Sequence, residues 1–221
     1  WIMRYLLVCL ICTMSAYPVQ ASSPCEPSGI RPYVDFTVDP GQPRYHTNKN
    51  KGQLTKLQRQ TMGQPSAGWL PIGLTLTERG LQFGLTMRQQ QLSDHSYCSE
   101  VASVQASLLY HRIDVYIARE YPRGSCQYNS IVDHERRHVG IYHDTLAEFA
   151  PRIENTFYDV LGKMKPVHNN DPERALQHYM EKLERATAPL FDELDRVASS
   201  RNASMDTPEN YRKEQQYCLS W

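Results

Sequence analysis

The chain has 221 residues, with 24 basic and 24 acidic side chains and a formal net charge of zero at pH 7. Such a balance gives no strong electrostatic field, so we expect neither nucleic acid nor an anionic membrane surface as a partner. A chain of this length is sufficient for one domain with its own hydrophobic core.

The first segment has the pattern of a secretory signal peptide. Arg4 precedes an apolar run from Tyr5 to Met14, Pro18 interrupts it, and Ala21 ends a small-x-Ala cleavage pattern. The run is too short to cross a bilayer, and no other stretch is apolar enough to do so. We therefore predict that residues 1–21 are removed and that the mature protein, residues 22–221, is periplasmic or secreted in a bacterium.

Four cysteines follow this leader: Cys25, Cys98, Cys126 and Cys218. An even number in an exported protein favours two disulfide bonds. Three pairings are possible. We favour Cys98 with Cys126, which would clamp the strands before the central helix, and Cys25 with Cys218, which would tie the two ends together.

The part of the mature chain up to residue 126 is predicted to be rich in β-strands. Alternating apolar side chains at Ile113, Val115 and Ile117 are typical of a half-buried strand. The stretch Glu78-Arg79-Gly80 is predicted to be a hairpin turn, and residues 47–68 a loop or a short surface helix. Strands are predicted at Tyr33–Val38, Trp69–Thr77, Leu81–Met87, Val101–Leu109 and Arg112–Ala118, with a turn at Asp39–Pro43.

Residues 127–221 are predicted to be mainly helical. Pro151 should end or kink the first helix, and Pro189 should kink the second. Asp171 is expected to cap the second helix, with Pro172 at its first position. Because strands come first and helices follow, we predict one α+β domain. The predicted helices are 129–161, 171–199 and 209–217, separated by a linker at 163–170 and a loop at 201–208.

The stretch His134-Glu135-Arg136-Arg137-His138, inside the first of these helices, carries the most specific chemical pattern in the chain. Two histidines at i and i+4 lie about 40° apart on one helix face, so both imidazoles can reach one Zn²⁺ ion. Glu135 can accept a proton from a water molecule at that ion. The pattern therefore predicts His134 and His138 as metal ligands and Glu135 as a general base.

This His-Glu-x-x-His pattern resembles the zincin metallopeptidases. Together with the leader, the strands, a Cys-containing loop and the later Met205-Asp206-Thr207, it is similar to an uncharacterised family of predicted bacterial secreted zinc-dependent proteases. The resemblance covers roughly residues 98–212 and implies a zincin-like fold and an exported zinc peptidase that acts on proteins or peptides. Arg136 and Arg137 depart from the usual zincin pattern, which has uncharged residues there.

A catalytic zinc ion usually has three protein ligands, and the motif supplies two. On an unbroken helix His143 lies about 180° from His134, so it could bind the same ion only if the helix broke near Gly140. We expect no break, which places the third ligand after Lys163. The resemblance favours Asp206. The alternatives are His143, Glu173, His178, Glu181 and Glu184.

A non-catalytic exported protein is the second hypothesis. The motif would then be a structural metal site, or a surface helix with solvated histidines. The pair of arginines and the presence of only two clear ligands favour this reading. The sequence leaves the substrate and the oligomeric state open.

Overall fold

The computed structural model of the chain describes residues 25–62 and 70–221. The predicted leader, residues 1–21, lies outside these ranges. Strands and long helices are both present, which confirms the predicted α+β class. In chain order the elements are β1 (Tyr33–Asp39), β2 (Pro43–His46), α1 (Lys51–Met62), β3 (Gly73–Gln91), β4 (Tyr97–Ile117), α2 (Cys126–Leu161), β5 (Val167–Asn169), α3 (Pro172–Met205) and α4 (Pro208–Gln215).

Strand β4 is the centre of a five-stranded sheet. Along one edge it pairs with antiparallel β3 over its whole length, from Gly73 opposite Ile117 to Gln91 opposite Tyr97. Along the other edge it pairs in succession with antiparallel β5, parallel β1 and parallel β2. Strand β3 is therefore an edge strand, since β4 is its only partner among the strands of the described ranges.

The hairpin predicted at Glu78-Arg79-Gly80 is wrong, because β3 continues through these residues and the chain turns later, at residues 92–96. The two strands predicted at 101–109 and 112–118 likewise belong to the single strand β4.

Strand β4 contains a bulge at His111. The partners of Glu78 and Arg79 in β4 are two residues apart, which leaves His111 as an extra residue without a partner in β3. A bulge shifts by one residue the alternation of side chains between the two faces of the sheet. The inward-facing side chains are thus Val104, Ala106, Leu108 and Tyr110 before the bulge, and Ile113, Val115 and Ile117 after it.

Two shorter elements also differ from the predictions. Residues 43–46 form β2 at the end of the predicted turn, and Val167–Asn169 forms β5 within the predicted linker. The polar stretch 47–68 contains the helix α1, whose Leu54 is fully buried. Strands of three or four residues are too short to leave a periodic signal in the sequence.

Helix α2 carries the motif and packs against the sheet. Ser125 caps its first turn by accepting a hydrogen bond from the backbone N–H of Tyr128. The helix continues through Gly140, as predicted, and also through Pro151, where the sequence suggested an end or a kink. Its buried face, which includes Leu146, Phe149 and Ile153, forms the core together with the sheet and α3.

Helix α3 begins as predicted, with Asp171 as cap and Pro172 at its first position. It ends at Met205 rather than near Ser199, so most of the loop predicted at 201–208 is helical. Its buried side recurs every four residues at Leu194, Ala198 and Asn202. Because Asn202 is polar, this last buried position was missed in the sequence.

Two disulfide bonds join Cys25 to Cys98 and Cys126 to Cys218. Their number agrees with the prediction, but the favoured pairing of Cys98 with Cys126 and Cys25 with Cys218 is wrong. Strand β1 runs parallel to β4, which brings the chain before it to the start of β4 and hence to Cys98. Both bonds are compatible with an extracellular or periplasmic protein. Within the described residues, none of the helices is sufficiently long and apolar to cross a membrane.

Candidate metal centre

His134, Glu135 and His138 lie on the buried side of α2, and the end of α3 and the short helix α4 contact the two histidines. His134 is 5% exposed, Glu135 3% and His138 8%. This burial contradicts the alternative in which the motif is a surface helix with solvated histidines. Helix α3 supplies Asn202, and its C-cap residue is Asp206.

Three ligand atoms converge between these helices. The Nε2 atoms of His134 and His138 are 3.0 Å apart, and they lie 3.0 and 3.1 Å from Oδ1 of Asp206. Tetrahedral ligand atoms about 2.0–2.1 Å from a zinc ion are roughly 3.3 Å from one another, close to the observed spacing. The cluster of His134, His138 and Asp206 could therefore hold a metal ion.

Hydrogen bonds on the far side of each imidazole orient it toward this point. Asn202 donates its amide N–H to the carbonyl oxygen of Ala198, which leaves its Oδ1 to accept from Nδ1 of His138 at 2.6 Å. Glu214 accepts from Nδ1 of His134 at 2.9 Å. With both Nδ1 atoms protonated, two Nε2 lone pairs and a carboxylate oxygen face one another. Only a cation or added protons make this arrangement favourable.

The charges around the cluster also favour a cation. Burial alone would lower the pKa of His134 and of His138, but the hydrogen bond to Asp206 and the nearby charge of Glu135 raise both above the ordinary value. Burial acts to raise the pKa of Asp206, yet hydrogen bonds from the two histidines hold it well below its usual range. The site therefore stabilises positive charge at the imidazoles and keeps its carboxylate ionised.

Glu135 lies on the sheet side of α2. Thr75 in β3 donates its hydroxyl to Oε2 of Glu135 at 2.6 Å. The other carboxylate oxygen occupies the space where a side chain at Gly73 would begin, so this close approach requires glycine. Burial raises the pKa of Glu135, although the charge of His138 and the Thr75 hydrogen bond oppose the shift.

Helix α4 brings a tyrosine to the cluster that the sequence did not single out. The ring of Tyr211 stacks on His134 with centroids 5.2 Å apart, and its hydroxyl donates to Oδ1 of Asp206 at 2.7 Å. Burial and the charge of Asp206 raise its pKa, so the hydroxyl stays protonated. Asn202 could have been found from its i+4 spacing to Asp206, but no local pattern marks Tyr211 or Glu214.

The two arginines of the motif have different surroundings. Arg136 is exposed and pairs with Asp133 one turn earlier. Arg137 reaches across to α4 and pairs with Glu214, the same carboxylate that orients His134. Neither guanidinium is directed into the core, so the departure from the usual zincin pattern does not obstruct the site.

Of the candidates for the third ligand, the structure brings one, Asp206, to the two histidines. Asp206, the ligand that the resemblance favours, lies in the cluster with His134 and His138. Since α2 is unbroken at Gly140, His143 stays outside the cluster. The candidates on the earlier turns of α3 are also outside it, namely Glu173, His178, Glu181 and Glu184.

Comparison with known proteins adds no further information about the site. No family model, no curated protein and no solved structure matches this chain. The resemblance to secreted zinc-dependent proteases remains a prediction from the motif. What the geometry supports directly is a buried cluster of two histidines and one aspartate that could hold a metal ion.

Proposed function

We propose that the protein is a zinc-dependent hydrolase that cleaves peptide bonds. The observation that carries this proposal is the convergence of His134, His138 and Asp206 beside the buried carboxylate of Glu135. Two imidazoles and one carboxylate form a donor set that suits Zn²⁺, and three protein ligands are the usual number in catalytic zinc sites.

In this proposal Glu135 is the general base. A zinc ion at the cluster supplies a Lewis acid that makes a nearby water more acidic and polarises the substrate carbonyl. Glu135 accepts the proton of the attacking water and transfers it to the departing amine. A carboxylate whose pKa is raised by burial is better matched to this exchange near neutral pH than an ordinary glutamate.

In this proposal Tyr211 stabilises the negative charge that develops on the carbonyl oxygen. Its hydroxyl already lies within hydrogen-bonding distance of the Asp206 oxygen that belongs to the cluster. Because its pKa is raised, the hydroxyl remains a donor at neutral pH. A fixed donor of this kind is most effective in a site from which water is largely excluded.

The position of β3 supports an extended peptide as substrate. The edge of β3 that faces away from β4 has no paired strand in the described part of the chain. The same strand contributes Thr75, which holds Glu135. A peptide that added to this edge would form backbone hydrogen bonds next to the proposed general base.

The decisive experiment combines metal analysis with one substitution. The mature chain, produced with its disulfides, should contain close to one zinc ion and cleave casein or a peptide library near neutral pH, and a chelator should abolish the cleavage. E135Q should retain zinc and fold but lose about 10²–10⁴-fold in rate, whereas E154Q, on a later turn of α2, should keep full activity. Cleavage that survives both E135Q and the chelator would refute this site.

A structural metal site is the second candidate, and the low exposure of Glu135 favours it. In that case zinc would raise the thermal unfolding temperature, but no substrate in a broad peptide library would be cleaved. E135Q would then affect only stability.

A further inference from the structure

The ion pair between Arg137 and Glu214 joins the motif helix to α4. Both carboxylate oxygens of Glu214 lie against Nδ1 of His134, at 2.9 and 3.2 Å, and the second of them also pairs with Arg137. Its side chain is only 12% exposed, whereas that of Arg137 is 52% exposed. The carboxylate therefore faces the site, and the guanidinium covers it from the solvent side.

We propose that Glu214 and Arg137 are positioning residues of the metal centre. Glu214 fixes the ring of His134 with Nδ1 protonated, which leaves Nε2 free to bind a metal ion. Arg137 holds Glu214 in place through their ion pair. This inference rests on the metal centre of the proposed function and assigns a role to an arginine that the usual zincin pattern lacks.

Charge balance gives a second, independent argument for the pair. Glu135, Asp206 and Glu214 place three carboxylates around the two imidazoles. Arg137 supplies a positive charge to Glu214 from the solvent side. Without Arg137 the buried Glu214 would add an uncompensated negative charge, and such a charge favours movement of the side chain toward solvent. His134 would then lose its orienting partner.

The chain offers a matched control for each residue. Arg136 is the neighbouring arginine on the same helix, and its pair with Asp133 is exposed. Glu209 lies on α4 and pairs with Lys213 one turn later, also in solvent. R136A and E209A therefore remove the same charges from the same two helices without contact with His134.

The test is the affinity of the full, disulfide-bonded chain for Zn²⁺, measured by competition with a chromogenic chelator. R137A and E214A should each weaken binding by about 10–100-fold, the usual range for partners that orient a metal ligand. R136A and E209A should stay within about twofold of wild type, and R137K should recover part of the loss. Since Arg137 acts through Glu214, R137A should have little further effect in the E214A background.

The outcomes separate the two proposals. If wild type binds zinc and both R137A and E214A bind it equally well, the positioning role is wrong and the metal centre stands. If wild type binds no zinc, the proposed function and this inference both fail. A purely structural role would lower the unfolding temperature of the metal-free protein without changing the zinc affinity of the folded fraction. The tautomer of neutral His134, read by NMR in metal-free R137A and wild type at a pH above the raised pKa of this histidine, tests the orientation directly. An unchanged Nδ1–H population there would overturn the inference.

Discussion

Gly73→Ala is the substitution that most directly tests the position of Glu135. A Cβ built on Gly73 would lie 2.9 Å from Cδ of Glu135 and 2.8 Å from Cγ2 of Ile131, with Oε1 of Glu135 closer still. Carbon atoms need about 3.5 Å, so the carboxyl group must shift by roughly 0.6 Å or more. Thr75 holds it from the same strand, which leaves little room for a smaller adjustment.

We expect G73A to lower kcat by about 10²-fold, the usual cost of a displacement near 1 Å in a catalytic group. Zinc content should stay close to one per chain, because the atoms nearest to a Cβ at this position belong to Glu135 and Ile131 and not to a metal ligand. Stability should fall by about 1–3 kcal/mol from overpacking. G84A is the control, since it lies on the same strand and its new methyl group meets nothing within 4 Å. Wild-type kcat in G73A, with zinc bound, would refute the assignment of Glu135 as base.

Three further outcomes are expected. Asp206→Ala should reduce zinc affinity by at least 10²-fold in the chelator competition, while His143→Ala should leave it unchanged; loss of zinc only in His143→Ala would mean that α2 breaks at Gly140. The pKa of each motif histidine is raised in the folded metal-free protein. Protonation of these histidines therefore contributes fully to the free energy of unfolding below the ordinary pKa of about 6.5, and this contribution is lost as the pH rises through the raised pKa. Thermal unfolding of the metal-free protein between about pH 6 and pH 9 should show this decline, and saturating zinc should abolish it. Replacing Cys126 and Cys218 by serine should lower the free energy of unfolding by about 2–5 kcal/mol. It should also weaken zinc binding, because the disulfide bond anchors the segment after α4. Unchanged zinc affinity would show that α4 packs on α2 without this bond.

Local sequence patterns were sufficient to predict some parts of the fold and the two histidines of the candidate site. The motif helix, the cap at Asp171 and the α+β class follow from periodicity and capping rules that act within one or two turns. The pair His134 and His138 follows from helix geometry alone. Asp206 was favoured through the resemblance, and the structure places it beside both histidines.

The rest depends on contacts between residues that are far apart in the sequence. The bulge at His111 reverses the alternation within one strand, so β4 looked like two strands with a break between them. Tyr211 and Glu214 have ordinary helical surroundings, and only the packing of α4 on α2 gives them a role. Asn202 has an i+4 spacing to Asp206, but its contact with His138 still depends on the packing of α3 on α2. The disulfide pairing failed for the same reason, because it follows from the parallel pairing of β1 with β4 rather than from order along the chain.

The distance along the chain between the parts of the centre has a consequence for biosynthesis. His134 meets Asp206 across 72 positions and Glu214 across 80, and contacts at such separations form slowly because a long loop must close first. A nascent chain that has released the motif helix still lacks the third ligand, Tyr211 and the carboxylate that orients His134. If the chain is exported during synthesis, the proposed hydrolase becomes competent only after α4 has crossed the membrane. The candidate centre is thus complete only when the last helix of the chain has been made and has packed on α2.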